Sequence, residues 1–330
     1  MIISRSPLRI SFFGGGTDYP EYFCTQGGAV LATAIDRFCF LTANRFESQL
    51  FDYAIRIAYR KVELVKRVDD IEHAVYRECL RHCGLERDIE LHVMADLPAF
   101  TGLGSSSSFT VALLHALYSY KGIFLTPHQL AYEAIHVERH LLHDTVGCQD
   151  QVLAAFGGLN LVEFIAEDNI VVHRIPISSD RLHQLQSHLF IVFTGIRRRA
   201  ADVAASQINR IEGNKDALRG MRSMVDKGWD ILTGQQSLSA FGELLHESWI
   251  SKRSLDPCIS NPQIDEYYEK GLKAGALGGK LLGAGGGGFL LFFAPPERHA
   301  ALSQAFAGQT VIEVKIGAPG SEVIFASKST

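Results

Sequence analysis

The chain has 330 residues, of which 47 % are hydrophobic and 21 % are charged, a composition typical of a globular protein that is long enough for two domains. Its formal net charge of −4, from 32 basic and 36 acidic residues, provides no basic excess for binding nucleic acid or a membrane surface. The N-terminus lacks the apolar core of a signal peptide, and no apolar stretch is long enough to cross a membrane. The six cysteines include no Cys-x-x-Cys pair. We therefore expect a cytoplasmic protein with reduced thiols.

The first half of the chain alternates between strand and helix patterns. Strands are predicted over residues 8–13, 29–43, 55–65, 89–93 and 159–164, and helices over 70–83 and 109–118. A further helix begins at Thr126 and Pro127, because threonine is a good N-cap and proline is favoured in the first turn.

The pattern restarts near residue 180. A strand is predicted over residues 188–194, helices over 200–227, 237–249 and 262–274, and strands over 280–293 and 311–316. Strands and helices therefore alternate in both halves, which indicates layered α+β architecture. We expect two domains, residues 1–183 and 184–330, with the boundary near 180–187.

A loop of small residues opens directly into the helix at 109–118. It comprises Gly102, Leu103, Gly104, Ser105, Ser106, Ser107 and Ser108. Backbone amides at such a helix start can bind an anion, and the serine hydroxyls can bind phosphate or magnesium. The loop lacks the Gly-Lys-Ser/Thr ending of a P-loop and the third glycine of a dinucleotide site. By itself it remains open between a phosphate-binding loop and a serine-capped helix.

Two further patterns have alternative interpretations. Nine glycines lie between Gly271 and Gly288; a flexible linker is one reading, but the apolar flanks favour a packed turn. His136 and His140 are four residues apart, with His143 and Asp144 following, a spacing that could bind zinc. The pattern lacks His-Glu-x-x-His, so exposed or capping histidines are the favoured interpretation.

Three glycine-rich blocks, at residues 7–18, 102–108 and 280–288, occur in an order that resembles the GHMP kinase family. The resemblance implies a two-domain α+β GHMP kinase fold with the active site in the interdomain cleft, and ATP and Mg²⁺ as ligands. The middle block would hold the triphosphate. The third block would brace it. The first block would contact the acceptor sugar through Gly15, Gly16, Thr17 and Asp18.

The family's catalytic residues map onto individual positions of this sequence. The Gly-x-x-Asp-Gln segment stands at 147–151, so the resemblance implies Asp150 as the catalytic aspartate and Arg9 as the arginine that faces it. It also implies Glu138 and Ser106 as magnesium ligands. Taken singly, Asp150 and Glu138 could be surface carboxylates and Arg9 a polar residue on an open strand face. Their joint spacing favours catalysis, because phosphoryl transfer depends on positioning and on charge neutralisation.

Within the family, the first block is similar to the branch that phosphorylates the anomeric hydroxyl of D-glycero-D-manno-heptose 7-phosphate. Its Gly-Gly-Gly-Thr-Asp replaces the Gly-Glu-His-Thr-Asp of galactokinase. A sugar phosphate needs cations, and the candidates are Arg197, Arg198, Arg199, Lys252 and Arg253. The alternatives are a fucokinase- or galactokinase-like enzyme for an unphosphorylated sugar, or a sugar and nucleotide sensor without turnover. The expected partner is a small-molecule sugar phosphate, and an oligomer is possible.

Overall fold

A computed structural model describes residues 1–197 and 200–327 as two sheets with helices packed between and around them. The strands within these ranges are β1 (Ile2–Phe13), β2 (Gly28–Arg45), β3 (Ile55–Ala58), β4 (Val62–Val65), β5 (Ile89–Ala95), β6 (Leu159–Ala166), β7 (Asn169–Arg174), β8 (Leu189–Phe193), β9 (Gly278–Leu281), β10 (Phe289–Phe293), β11 (Val311–Ile312) and β12 (Glu322–Ala326). The helices are α1 (Pro20–Gln26), α2 (Ala74–His82), α3 (Ser105–Tyr120), α4 (Pro127–His136), α5 (Gln149–Phe156), α6 (Ser179–Ser187), α7 (Ala200–Ile208), α8 (Lys215–Thr233), α9 (Ser239–Leu255), α10 (Pro262–Lys273) and α11 (His299–Ala305).

The first sheet has the order β12-β1-β2-β5-β3-β4, and β6 and β7 extend it from the first part of β2. Its pairs are antiparallel apart from β3 with β5. The second sheet is antiparallel, with the order β11-β8-β10-β9. The α+β expectation is confirmed.

Strand β2 shows why the first sheet is apolar on both faces. Val30 and Ala32 lie in a core with helices α2 to α5, whereas Ala29 and Leu31 lie in a second core with α8, α9 and the second sheet. Because successive side chains of a strand point to opposite faces, a continuous apolar run buries one residue set in each core. The two sheets are therefore joined through a shared core.

Several predicted elements differ from the structure. Residues 55–65 form the β3–β4 hairpin, not one strand. The helix predicted over 200–227 is interrupted after Ile208, and α8 begins at Lys215. The interruption contains Gly213 and Asn214, which are poor helix formers, and the Asn214 amide donates to the Leu255 carbonyl at 2.9 Å.

Two local features complete the fold. The helix start predicted at Thr126 is confirmed, since its side chain and that of Gln129 form a capping box. Strand β12 returns the C-terminal part of the chain to the first sheet, where it pairs with β1; the boundary near residue 183 stays a prediction. Within the described ranges, no helix has the length and apolarity needed to cross a membrane.

Candidate active site

The loop at residues 102–108 turns into α3 through two glycines in the left-handed region. Gly102 has φ +82° and Gly104 has φ +75°, conformations that a side chain would strain. Gly104 is the N-cap of α3 and has no side chain to bond the first-turn amides. The N-terminus of α3 therefore presents its amides at a bend where no side chain of the N-cap intervenes.

The third glycine-rich block packs backbone against backbone on this loop. A Cβ atom on Gly283 would lie 2.6 Å from the Cα of Gly102, and one on Gly288 would lie 2.4 Å from the Thr101 carbonyl oxygen. The Phe289 amide donates to that same carbonyl at 3.2 Å. The predicted packed turn and its brace on the loop are confirmed, and a flexible linker is excluded.

Arg9 on β1 holds Asp150, in the first turn of α5, against the loop. Its Nε donates to Oδ1 of Asp150 at 2.7 Å and its Nη2 donates to Oδ2 at 2.8 Å. Its Nη1 donates to the Gly102 carbonyl oxygen at 2.7 Å. A Cβ on Gly104 would lie 3.3 Å from Oδ2 of Asp150, so the missing side chain lets the carboxylate approach the start of α3. The predicted pair of Arg9 and Asp150 lies at the loop.

The carboxylate of Asp18 is buried beside this pair. The Gly16 amide donates to its Oδ1 at 3.0 Å and the Gln149 amide to its Oδ2 at 3.4 Å. Burial raises the pKa of Asp18, and the negative charge of Asp150 adds to that shift. A Cβ on Gly147 would lie 2.0 Å from Oδ2 of Asp18. Any other residue at position 147 would therefore clash with Asp18 of the first block, which explains the glycine of the Gly-x-x-Asp-Gln segment.

Glu138 lies in a π-helical turn after α4 and is buried. Its Oε2 accepts hydrogen bonds from the Ser107 hydroxyl at 2.9 Å and from the Gln151 amide. Its Oε1 is buried and has no hydrogen-bond partner among residues 1–197 and 200–327. Burial raises the pKa of Glu138 to about 7, against the opposing effect of its polar neighbours Thr110, Ser107 and Gln151.

This arrangement fits a magnesium ion. Magnesium prefers hard oxygen donors and keeps waters or phosphate oxygens as its other ligands, so one unpartnered carboxylate oxygen beside serine hydroxyls is a suitable donor set. Ser107, not the predicted Ser106, contacts Glu138. Ser106 is exposed and lines a cavity of about 470 Å³. The role predicted for Ser106 stays a prediction.

Two lysines lie in the same cavity. Lys252 of α9 donates through Nζ to the Gly283 carbonyl oxygen, and burial, with the nearby charge of Arg9, lowers its pKa to about 8. Lys280 of β9 donates through Nζ to the Phe12 carbonyl oxygen at 2.8 Å, and burial lowers its pKa. Lys280 was not among the predicted cations, although a lysine within an apolar strand pattern is a signal of a paired or functional charge.

The other predicted cations lie elsewhere. Arg197 is exposed and does not line the cavity, and Arg253 pairs with Asp265 at 3.0 Å, also away from it. The structure therefore gives no support for sugar-phosphate binding by these two residues. Arg198 and Arg199 lie outside the described residues.

Three predicted ligand-binding residues have side chains that bond backbone groups of the protein or are buried in its core. The Ser108 hydroxyl donates to the Pro7 carbonyl oxygen at 2.6 Å, and Leu103 is fully buried. The Thr17 hydroxyl lies 2.8 Å from the Gly14 carbonyl oxygen and accepts from the Ala29 amide at 3.1 Å. These side chains stabilise the turns of the first and second blocks and do not line the cavity, so the structure gives no support for ligand contacts of the Ser108 and Thr17 hydroxyls. The predicted part of Leu103 in the phosphate loop stays a prediction.

The cavity of about 470 Å³ has both polar and apolar lining residues. The charged ones are Arg9, Asp18, Asp150, Lys252 and Lys280. The apolar ones include Val75, Val93, Phe100 and Phe109. Such a lining suits a ligand with a charged part and a flat apolar part.

The histidine pattern at 136, 140 and 143 lies at the end of α4 and in the residues that follow it. In the described part of the chain no group of three or more histidine, cysteine, aspartate or glutamate side chains is placed to hold a metal ion. The His136 ring lies 5.4 Å from the ring of His82 and 5.5 Å from that of His140, and His82 bonds Glu133. The disfavoured zinc interpretation gains no support.

The chain is similar in sequence to two proteins that are named as sugar kinases. The D-glycero-alpha-D-manno-heptose 7-phosphate kinase of Campylobacter jejuni is 28% identical over 317 residues, which cover 92% of each chain. The L-fucokinase/L-fucose-1-P guanylyltransferase of Bacteroides fragilis is 25% identical, but the match covers 91% of this chain and only 35% of that protein.

A solved structure has the same fold. It is described as a D-glycero-D-manno-heptose 1-phosphate kinase from Bacteroides thetaiotaomicron, with a TM-score of 0.81, 23% identity, and coverage of 99% of this chain and 100% of the other. The family models for the GHMP kinases N terminal domain and the GHMP kinases C terminal match residues 63–158 and 231–310. Because these two segments make up more than half of the sequence and contain the second and third glycine-rich blocks, the chain belongs to the GHMP kinase family.

Proposed function

We propose that the chain is an ATP-dependent sugar kinase that phosphorylates the anomeric hydroxyl of D-glycero-D-manno-heptose 7-phosphate. The observation that supports this most directly is the bidentate pair of Arg9 and Asp150, which also bonds the Gly102 carbonyl oxygen at the start of α3. A potential proton acceptor is thereby held next to the helix N-terminus that would bind the phosphates of ATP.

Each group then has a role in the transfer. Asp150 accepts the proton as the acceptor oxygen attacks the γ-phosphorus, the new P–O bond forms, and the bond from that phosphorus to the leaving ADP oxygen breaks. Arg9 orients Asp150 and offsets negative charge that develops on the transferring group. Glu138, with Ser106 or Ser107, would hold Mg²⁺, which neutralises phosphate charge when bound.

The cations of the cavity favour a phosphorylated acceptor. Lys252 and Lys280 are both buried and line the cavity, and among the described residues each ammonium group donates to a backbone carbonyl oxygen. A buried ammonium group with such a partner gains from a nearby anion. We therefore assign the contact with the sugar's own phosphate to Lys252, with Lys280 as a second cation.

The test is a phosphorylation screen over free and phosphorylated heptoses, fucose and galactose, with the linkage in the product determined by NMR. We expect turnover of the 7-phosphate and a new phosphate on C1. This assignment matters because the names of the two heptose kinases above place a phosphate at different carbons. Preferred turnover of fucose or galactose would replace the heptose proposal, and ligand binding without ADP release would indicate a sensor.

Asp150→Asn separates catalysis from binding. The asparagine retains the shape of Asp150 but cannot take the proton, so kcat falls by about 10²–10⁴-fold. Binding of MgATP, measured by calorimetry, stays within a few-fold of the wild type. An unchanged kcat would remove Asp150 from the proposed role.

A further inference from the structure

Two residues at the cavity each have a buried polar atom with no hydrogen-bond partner among the described residues: the hydroxyl oxygen of Ser11 and the Oε1 atom of Gln149. Ser11 is only 5 % exposed, and both residues line the cavity. Neither was selected by the sequence motifs. A buried polar atom without a partner costs free energy, so such atoms in a cavity are candidates for ligand contact.

Their positions follow from those of the catalytic pair. Ser11 is two residues after Arg9 on β1, and residues two apart on a strand point to the same side. Gln149 directly precedes Asp150 at the start of α5. Both side chains therefore border the site where the acceptor hydroxyl would meet Asp150.

Both side chains lie near Gly15. An ideal Cβ on Gly15 would lie 3.6 Å from Oγ of Ser11 and 3.8 Å from Nε2 of Gln149. The absence of a side chain at Gly15 leaves open the corner of the cavity that Ser11, Gly15 and Gln149 line. The backbone amide of Gln149 also bonds Asp18, which joins the corner to the carboxylate that the first block contributes.

The chemistry of the corner selects a hydroxyl group. A hydroxyl side chain donates and accepts, and a carboxamide presents one acceptor and two donors. The unpartnered Oε1 of Gln149 can only accept, so it needs a donor, which a phosphate dianion lacks and a sugar hydroxyl has.

We propose that Ser11 and Gln149 form a recognition subsite for a non-reacting hydroxyl of the acceptor sugar, next to the carbon that is phosphorylated. The proposal rests on the sugar kinase function proposed above and adds the residues that determine which sugar is accepted. They are specificity residues; the proton transfer stays with Asp150.

The experiment combines acceptor analogues with variants. The acceptors are D-glycero-D-manno-heptose 7-phosphate and its analogues that lack one ring hydroxyl each. The variants are Ser11→Ala and Gln149→Met, and the control is Ser248→Ala. Ser248 is another buried serine whose hydroxyl has no partner in the described part of the chain, but it does not line the cavity.

We expect the wild type to lose about tenfold in kcat/KM with one deoxy analogue, the effect of one unpaired hydrogen bond. Ser11→Ala or Gln149→Met should lose a similar factor with the parent sugar and then no longer distinguish it from that analogue, while KM for ATP is unchanged. Ser248→Ala should discriminate as the wild type does.

Three outcomes would overturn the inference. If both variants lower kcat/KM equally for all acceptors, or raise KM for ATP as much as KM for the sugar, the side chains are structural. If the variants discriminate as the wild type does, the subsite lies elsewhere. If the wild type phosphorylates none of the acceptors, the proposed function fails and the subsite fails with it.

Discussion

The carboxyl group of Glu138 should destabilise the folded protein whenever it is ionised and no magnesium is bound. Burial raises its pKa from the ordinary value of 4.5 to about 7, and one pKa unit is ~1.4 kcal/mol. In the unfolded chain the group loses its proton near pH 4.5, while the folded protein retains it up to about pH 7. The folded state therefore binds more protons between these values, and the free energy of unfolding falls by about 3 kcal/mol as the pH rises through this window.

Glu138→Gln removes this effect because glutamine does not ionise. The variant should be more stable than the wild type by about 3 kcal/mol at pH 8, and the difference should shrink to below about 1 kcal/mol at pH 5. Urea denaturation of both proteins at a series of pH values, without nucleotide or magnesium, measures this difference. Other titrating groups are common to both proteins and cancel in the comparison.

Magnesium supplies the control. With a non-hydrolysable MgATP analogue, the wild-type carboxylate gains a partner for its unpaired Oε1 atom, so the advantage of Glu138→Gln at pH 8 should fall. In a separate assay with MgATP and the acceptor sugar, kcat of the variant should be strongly reduced. A stability difference that is the same at pH 5 and pH 8 would contradict the raised pKa of Glu138. A variant that is less stable than the wild type at pH 8 would contradict it as well.

Two further predictions concern the loop and the lysine. Gly102→Ala should lower the free energy of unfolding by more than about 3 kcal/mol, because φ is +82° and the new Cβ would lie 2.3 Å from the Leu282 carbonyl oxygen. The control is Gly122→Ala, where φ is +74° and no atom lies within 4 Å of the new Cβ. It should lower the free energy of unfolding by only about 1–2 kcal/mol in the same denaturation assay. Similar losses in both would show that the contact with the third block is unimportant. Affinity for the phosphorylated acceptor should weaken as the pH rises through about 8, where Lys252 loses its proton, and Lys252→Met should remove that pH step and raise KM by about tenfold or more. Initial rates with phosphorylated and free heptose check this, and an equal effect on both acceptors contradicts it.

Much of the fold and the site could be predicted from the sequence because it depends on local chemistry. The capping box at Thr126, the alternating strand patterns and the glycines with positive φ at 102 and 104 are properties of short segments. The pairing of Arg9 with Asp150 was reached through family resemblance, since 141 residues separate the two along the chain. No local pattern links residues at that distance.

Only the tertiary structure decided which side chains enter the cavity. Four serines in a row are equivalent in sequence, but on α3 they point in different directions: Ser107 reaches Glu138, Ser108 bonds Pro7 and Ser106 is exposed. Thr17 likewise turns inward to its own loop.

The same reason explains the residues that motif analysis missed. Ser11, Gln149 and Lys280 each lie within a motif, but at a position that the motif does not specify, and they become notable only where β1, α5 and β9 meet. Burial and the presence or absence of a hydrogen-bond partner depend on elements distant in sequence. The local sequence thus determined where the chain turns and which segments are rich in glycine, and the packing of the two sheets determined which polar atoms remain unpaired at the cavity.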